Sequence, residues 1–85
     1  MSSPQPTPQL TMYTTSWCGY CVRLKRMMQR EDISFAEVNI ESDESAVELV
    51  MSVNGGNQTV PTVVFSDGSA LTNPSIDQVK AKLAA

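Results

Sequence analysis

A chain of 85 residues with 41% hydrophobic side chains has room for one small domain, near the lower size at which a core is self-sufficient. Its formal net charge of −3 excludes the basic surface that nucleic-acid binding needs. No apolar run reaches membrane-spanning length, and no histidine is present to act as a general base.

The first stretch, "MSSPQPTPQ", has neither a cationic start nor an apolar run, so it does not read as a secretory signal. Pro4, Pro6 and Pro8 make residues 1–9 a short extended, disordered tail and leave residues 10–85 as a single domain. "LTMYTT" (Leu10–Thr15) alternates apolar and polar positions and reads as a strand. A helix follows from Cys18 to Glu31, with Cys21, Leu24 and Met28 on an apolar stripe and Arg23, Arg26 and Arg30 on a basic one. The basic stripe reads first as solvated surface, and otherwise as a docking patch for an acidic partner or an anionic thiol.

"ISFAEVNI" (Ile33–Ile40) is a second strand. Ser42 looks like the cap of a second helix that runs to Asn54 and ends at Gly55-Gly56. The apolar run Thr59–Phe65 is a buried strand, and Ser66-Asp67-Gly68-Ser69 turns it into a short fourth strand, Ala70–Thr72. Asn73-Pro74 then reads as the cap and first turn of a last helix that buries Ile76, Val79 and Leu83. The order βαβ, α, ββα fits an α/β fold: a four-stranded mixed sheet with three helices covering both faces. The cysteines then fall where the first strand hands over to the first helix, at the carboxyl end of a central strand, where open α/β sheets bind ligands.

Cys18 and Cys21 are the only cysteines, three apart. A zinc site would need four ligands, which this chain could supply only as a dimer. Two inert core thiols fit poorly beside Gly19 at a helix start, which marks exposure and a tight turn. A redox couple fits best, and one C-x-x-C without a signal sequence suits the reducing cytoplasm. A sulfur at residue 18 would face the unpaired N–H groups of the first helical turn and the positive end of the helix dipole. Cysteines so placed fall from a pKa of about 8.5 to roughly 3.5–7.5. A drop to about 6 corresponds to about 3.4 kcal/mol of preference for the thiolate. Cys18 is therefore expected to be the exposed attacking thiolate, and Cys21 the shielded partner that can resolve a mixed disulfide. Trp17 and Tyr20 flank the pair, either as packing residues or as apolar walls for a substrate sulfur.

The "SWCGYC" after a strand, the later "TVPT", and the turn glycine with its short strand together resemble the glutaredoxin and thioredoxin superfamily, over about residues 10–85. The resemblance implies the thioredoxin fold with sheet order 2-1-3-4. It implies a cis Val60–Pro61 bond facing the cysteines and a Val60 backbone that pairs with a bound thiol or peptide like an added strand. The matching positions for substrate binding are Trp17, Gly19, Tyr20, Thr59, Val60, Pro61, Thr72 and Asn73.

Two departures bear on the thiol used. Glutaredoxins usually carry a lysine where Thr15 stands, and a diglycine followed by an acid where this chain reads Leu71-Thr72-Asn73-Pro74-Ser75. Those groups hold the ends of glutathione, so glutathione is disfavoured. "YTTSWCGYC", "SVNGGNQTVPTV" and "DGSALTNPS" resemble the mycoredoxins, which use the sugar-based thiol mycothiol. That resemblance implies a cytoplasmic, monomeric reductase of mycothiol–protein mixed disulfides that works through Cys18 alone. It would hold no metal or bound cofactor and would draw on NADPH indirectly, through mycothiol reductase. Its partners would be mycothiolated proteins, including peroxidases or other thiol enzymes. The rival expectations are a dithiol redoxin fed directly by thioredoxin reductase, and an iron–sulfur carrier, which glycine at position 19 also resembles.

Overall fold

Alternating burial along the first strand sends Leu10 and Met12 to one side of the sheet and Tyr13 to the other. The computed structural model describes residues 8–84. Of the expected tail, residues 1–7 lie outside the described residues. Gln9 is tied down: its N–H donates to the Ser34 carbonyl at 3.0 Å, and the Ser34 N–H donates to Gln9 Oε1 at 2.9 Å.

The elements in chain order are β1 (Leu10–Thr14), α1 (Gly19–Arg30), β2 (Phe35–Asn39), a 3₁₀ turn (Ile40–Ser42), α2 (Glu44–Val53), β3 (Thr62–Phe65), β4 (Ala70–Thr72) and α3 (Ile76–Ala84). The sheet order is β2-β1-β3-β4, with β1 parallel to β2 and antiparallel to β3, and β3 antiparallel to β4. This is the four-stranded mixed sheet with three helices that the segment order required. On the α1/α3 side, Leu10, Met12, Leu24, Met28, Val63 and Val79 anchor a core that also contains both cysteines. On the α2 side, Ile40, Ala46 and Val50 form a smaller core against Tyr13 and Val38.

Several boundaries differ from the sequence reading, each for a local reason. β1 stops at Thr14 because the Thr15 carbonyl accepts the Cys18 N–H at 3.4 Å and closes a turn. The cap of α2 is Asp43 rather than Ser42. Residues 40–42 wind into the 3₁₀ turn, capped by Asn39, whose side chain accepts from the Glu41 N–H, and Asp43 then accepts from the Ser45 and Ala46 N–H groups. β3 begins at Thr62 rather than Thr59, so residues 59–61 stay outside the ladder. The cap of α3 is Ser75 rather than Asn73-Pro74. Its hydroxyl accepts from the Gln78 N–H at 3.1 Å while Gln78 Oε1 accepts from the Ser75 N–H at 2.8 Å, a reciprocal capping box. Asn73 instead takes a left-handed φ of 46°, a region asparagine tolerates better than most residues. The end of α2 follows the diglycine: Gly55 at φ +64° lets the Gly56 N–H reach the Met51 carbonyl at 2.8 Å.

Candidate thiol site

Register brings three distant segments to one edge of the sheet. Tyr13 pairs with Thr62 and Thr62 pairs with Thr72, so one step further along each ladder Pro61 comes opposite Thr14 and beside Asn73. The Asn73 N–H donates to the Pro61 carbonyl at 2.7 Å. The Val60–Pro61 peptide bond is cis. The turn from β1 into α1 opens at this same edge.

Cys18 is the N-cap of α1, with extended backbone (φ −85°, ψ 104°), and its sulfur accepts the Cys21 N–H at 3.0 Å. No acidic residue occupies the first turn of α1, so nothing there offsets the positive end of the helix for an anionic sulfur. Cys18 and Cys21 are joined by a disulfide, with their Cα atoms 5.2 Å apart. In this state the expectation of an exposed Cys18 is not met: Cys18 is 4% exposed and Cys21 1%. Both cysteines lie in the α1/α3 core, in the same apolar cluster as Leu24 and Met28. The exposed parts of the motif are its flanks. Trp17 and Tyr20 are 76% and 68% exposed, so neither is a packing residue, and a Cβ placed on Gly19 would meet nothing within 4 Å.

Tyr20, Arg23 and Met27 of α1 face Asn73, Pro74 and Ile76 across a groove of about 330 Å³. Tyr20 and Asn73 are thus brought together. Thr72 is not: its hydroxyl donates to Asn54 Oδ1 at the end of α2. Thr59 is exposed, Pro61 is buried, and Val60 is half-buried against both cores. No internal hydrogen bond falls on the Val60 backbone among the described residues.

Two side chains that the sequence did not single out hold this edge. Glu41 accepts the Ser16 N–H and the Ser16 hydroxyl, each at 2.7 Å, and so clamps the turn before Trp17. Those two bonds hold its carboxyl below the usual range. Asn54 donates to the Val50 carbonyl at 2.8 Å and to Thr62 Oγ1 at 3.0 Å, and Thr62 Oγ1 donates to the Thr59 carbonyl at 2.7 Å. This strap fixes the cis-proline turn to α2 and, through Thr72, to β4. In sequence, Asn54 shows only as the residue before a diglycine, and Glu41 as one more surface acid. The buried Thr15 hydroxyl has no hydrogen-bond partner among the described residues.

A Cys18–Cys21 disulfide whose first sulfur caps a helix, with a cis-proline turn at the same sheet edge, is an arrangement suited to thiol–disulfide exchange. The glutaredoxin family model matches residues 10–70. The chain is a member of the glutaredoxin family. It is 64% identical over 77 residues to a candidate glutaredoxin of Mycobacterium tuberculosis strain H37Rv, covering 91% of this chain and 92% of that one. It is 42% identical over 76 residues to Mycoredoxin 1 of Corynebacterium glutamicum, covering 89% of this chain and 94% of the relative. Among solved structures it is similar to the glutaredoxin of Archaeoglobus fulgidus, with a TM-score of 0.76 and 25% identity over 92% of this chain and 88% of that one. The chain is thus a glutaredoxin-like thiol redox protein with the Cys18–Cys21 pair at its site and the thioredoxin-like fold around it.

Proposed function

We propose that this glutaredoxin reduces mixed disulfides between proteins and mycothiol by a one-cysteine cycle through Cys18. The observation that carries the chemistry is the Cys18 sulfur at the cap of α1, 3.0 Å from a donating N–H with no carboxylate in the first turn. Identity to Mycoredoxin 1 over nearly the whole of both chains supports the choice of thiol. So does the neutral edge at residues 72–75, where the exposed Asn73 offers its side-chain amide to a sugar while the Thr72 and Ser75 hydroxyls are engaged with Asn54 and the Gln78 N–H.

In the first step the Cys18 thiolate attacks the mycothiol sulfur of the mixed disulfide. The Cys18–mycothiol bond forms, the old disulfide breaks, and the target protein leaves as its thiolate. A second mycothiol thiolate then attacks the Cys18 adduct, which frees Cys18 and yields mycothiol disulfide. Mycothiol reductase, with NADPH, returns that disulfide to two thiols. Trp17, Tyr20 and the open side of Gly19 form the approach, and the Val60 backbone pairs with the bound segment as an added strand. The helix terminus holds the sulfur as thiolate in both its attacking and leaving roles.

The closed Cys18–Cys21 disulfide favours one second reading: a dithiol redoxin in which Cys21 displaces the bound partner and thioredoxin reductase reopens the bridge. Supplying the purified protein with mycothiol and its reductase, or with thioredoxin reductase alone, separates the two. The one-cysteine cycle requires that Cys18→Ser abolish turnover of a mycothiolated protein while Cys21→Ser retains it. Loss of activity in both variants, with turnover supported by thioredoxin reductase, would establish the dithiol route instead.

A further inference from the structure

The six cations of this protein divide by residue type. All three lysines are in ion pairs: Lys25 with Glu37 at 3.1 Å, Lys80 with Glu31 at 3.3 Å and Lys82 with Asp67 at 3.3 Å. Arg23, Arg26 and Arg30 have no acidic partner among the described residues. They lie three and four positions apart on α1, where like charges repel and destabilise the helix. A chain with nine acids and a net charge of −3 nevertheless leaves this row uncompensated.

The row is not isolated from the thiol site. An open groove of about 470 Å³ runs along α1 from Gly19 and Val22 past Arg23, Arg26 and Met27 to Arg30. The exposed Val22 lines its near end, and Trp17 and Tyr20, within two residues of Cys18 in the chain, are exposed as well, so the thiol motif carries exposed apolar side chains from which α1 leads into a basic track.

We infer that this track docks an acidic segment of the protein half of the mixed disulfide, carboxylates on that segment taking the three guanidinium groups. This rests on the reading that Cys18 exchanges with protein-bound disulfides. Helical rise places Arg23 and Arg30 about 7.5 and 18 Å along α1 from Cys18. An extended segment advances about 3.3 Å per residue, so its acids fall about two to six residues from the cysteine being released. Guanidinium forks suit this role because they bind carboxylates in two parallel hydrogen bonds and stay charged at any working pH. Residues next to that cysteine meet the exposed apolar side chains and are uncharged or aromatic.

The test is a single turnover of the fully reduced wild-type protein with two peptides, each joined through its one cysteine to 2-mercaptoethanol. They differ only in carrying glutamates or glutamines at positions three to six from the cysteine. Release of the peptide thiol is followed, and every rate is normalised to that with oxidised 2-mercaptoethanol, which has no charge to dock. The acidic peptide is expected to react about tenfold faster at low ionic strength and within about twofold of the neutral one at 0.5 M salt. In Arg26→Glu/Arg30→Glu, two exposed substitutions, the preference moves to a lysine-bearing peptide of the same design. Equal wild-type rates for the two peptides, or an acidic preference retained by the double variant, overturns the docking inference and leaves the exchange reading intact. Release from neither peptide overturns both. Because no recycling thiol is present, the choice between mycothiol and thioredoxin reductase does not affect the result.

Discussion

The two faces of the sheet are built on different scales. Among the described residues the α1/α3 face holds ten buried ones, including both cysteines, whereas the α2 face holds three: Ile40, Ala46 and Val50. Val60, beside the cis-proline, touches both. The difference separates two tasks. The large core fixes the start of α1, and hence the sulfurs, while the small one positions the cis-proline turn through the Asn54 strap.

Truncation within each core should break or confirm that contrast most strongly. Met28→Ala, at a fully buried position of the large core, is expected to cost about 2–5 kcal/mol in urea unfolding. Val50→Ala, fully buried in the small core, removes fewer atoms and is expected to cost about 2 kcal/mol. A loss at Val50 as large as that at Met28 would show that the α2 face carries more of the fold than its buried side chains indicate.

The strap can be tested more finely. Asn54→Ala removes the donor to Thr62 and the acceptor of the Thr72 hydroxyl, for an expected loss of about 1–2 kcal/mol. Its functional effect should divide: a several-fold higher KM for a peptide mixed disulfide, with alkylation of Cys18 by iodoacetamide changed by less than twofold. A matching change in both would place Asn54 in the chemistry of the thiol rather than in the positioning of the turn.

The smallest effect expected is a shared response to acid. Asp43 caps α2 and is held low by the Ser45 hydroxyl and the Ala46 N–H. Asp67 is lowered to about 2 by the Ser69 hydroxyl and N–H and by Lys82 of α3. For Glu37, burial pushes its carboxyl up, but hydrogen bonds from Thr14 and Lys25 outweigh it and the group lies low. With folded values below the unfolded ones, the unfolded chain takes up protons first as pH falls. The stabilisation is therefore complete above the ordinary carboxylate values near 4, and is lost as pH falls through the folded values. Melting temperature should stay level from pH 7 to about 5 and drop by pH 3. Asp67→Asn should narrow the drop on the α3 side and Asp43→Asn on the α2 side. If neither variant narrows it, these two pairs do not carry the acid response.

Legibility in the sequence followed the range of the interaction. The order of the strands, the Cys18 cap and the diglycine end of α2 are written in periodicity and local turn chemistry, whereas the ladders themselves are shorter than the apolar runs: β1 ends at Thr14, β2 spans Phe35–Asn39 and β3 starts at Thr62. The caps at Asp43 and Ser75 were displaced by one or two positions. Ser42 and Asn73 offer equally good capping side chains, and tertiary winding at Ile40–Ser42 and the pull of Pro61 on Asn73 decide between them. Glu41 and Asn54 were invisible, because each acts on a segment 25 or 18 residues away and shows no pattern of its own. The unpaired state of the arginines likewise needed coordinates, since only they show which acids the lysines already hold.

The closed bridge also bears on what oxidants can do to this protein. Over-oxidation of a cysteine to its sulfinic or sulfonic acid needs both thiolate character and access, and a sulfur in a disulfide at 4% exposure has neither. If the one-cysteine cycle proposed above holds, closing the bridge to Cys21 would keep Cys18 in a form that a reductase can reopen, and a Cys21→Ser variant should lose activity faster than wild type after exposure to hydrogen peroxide.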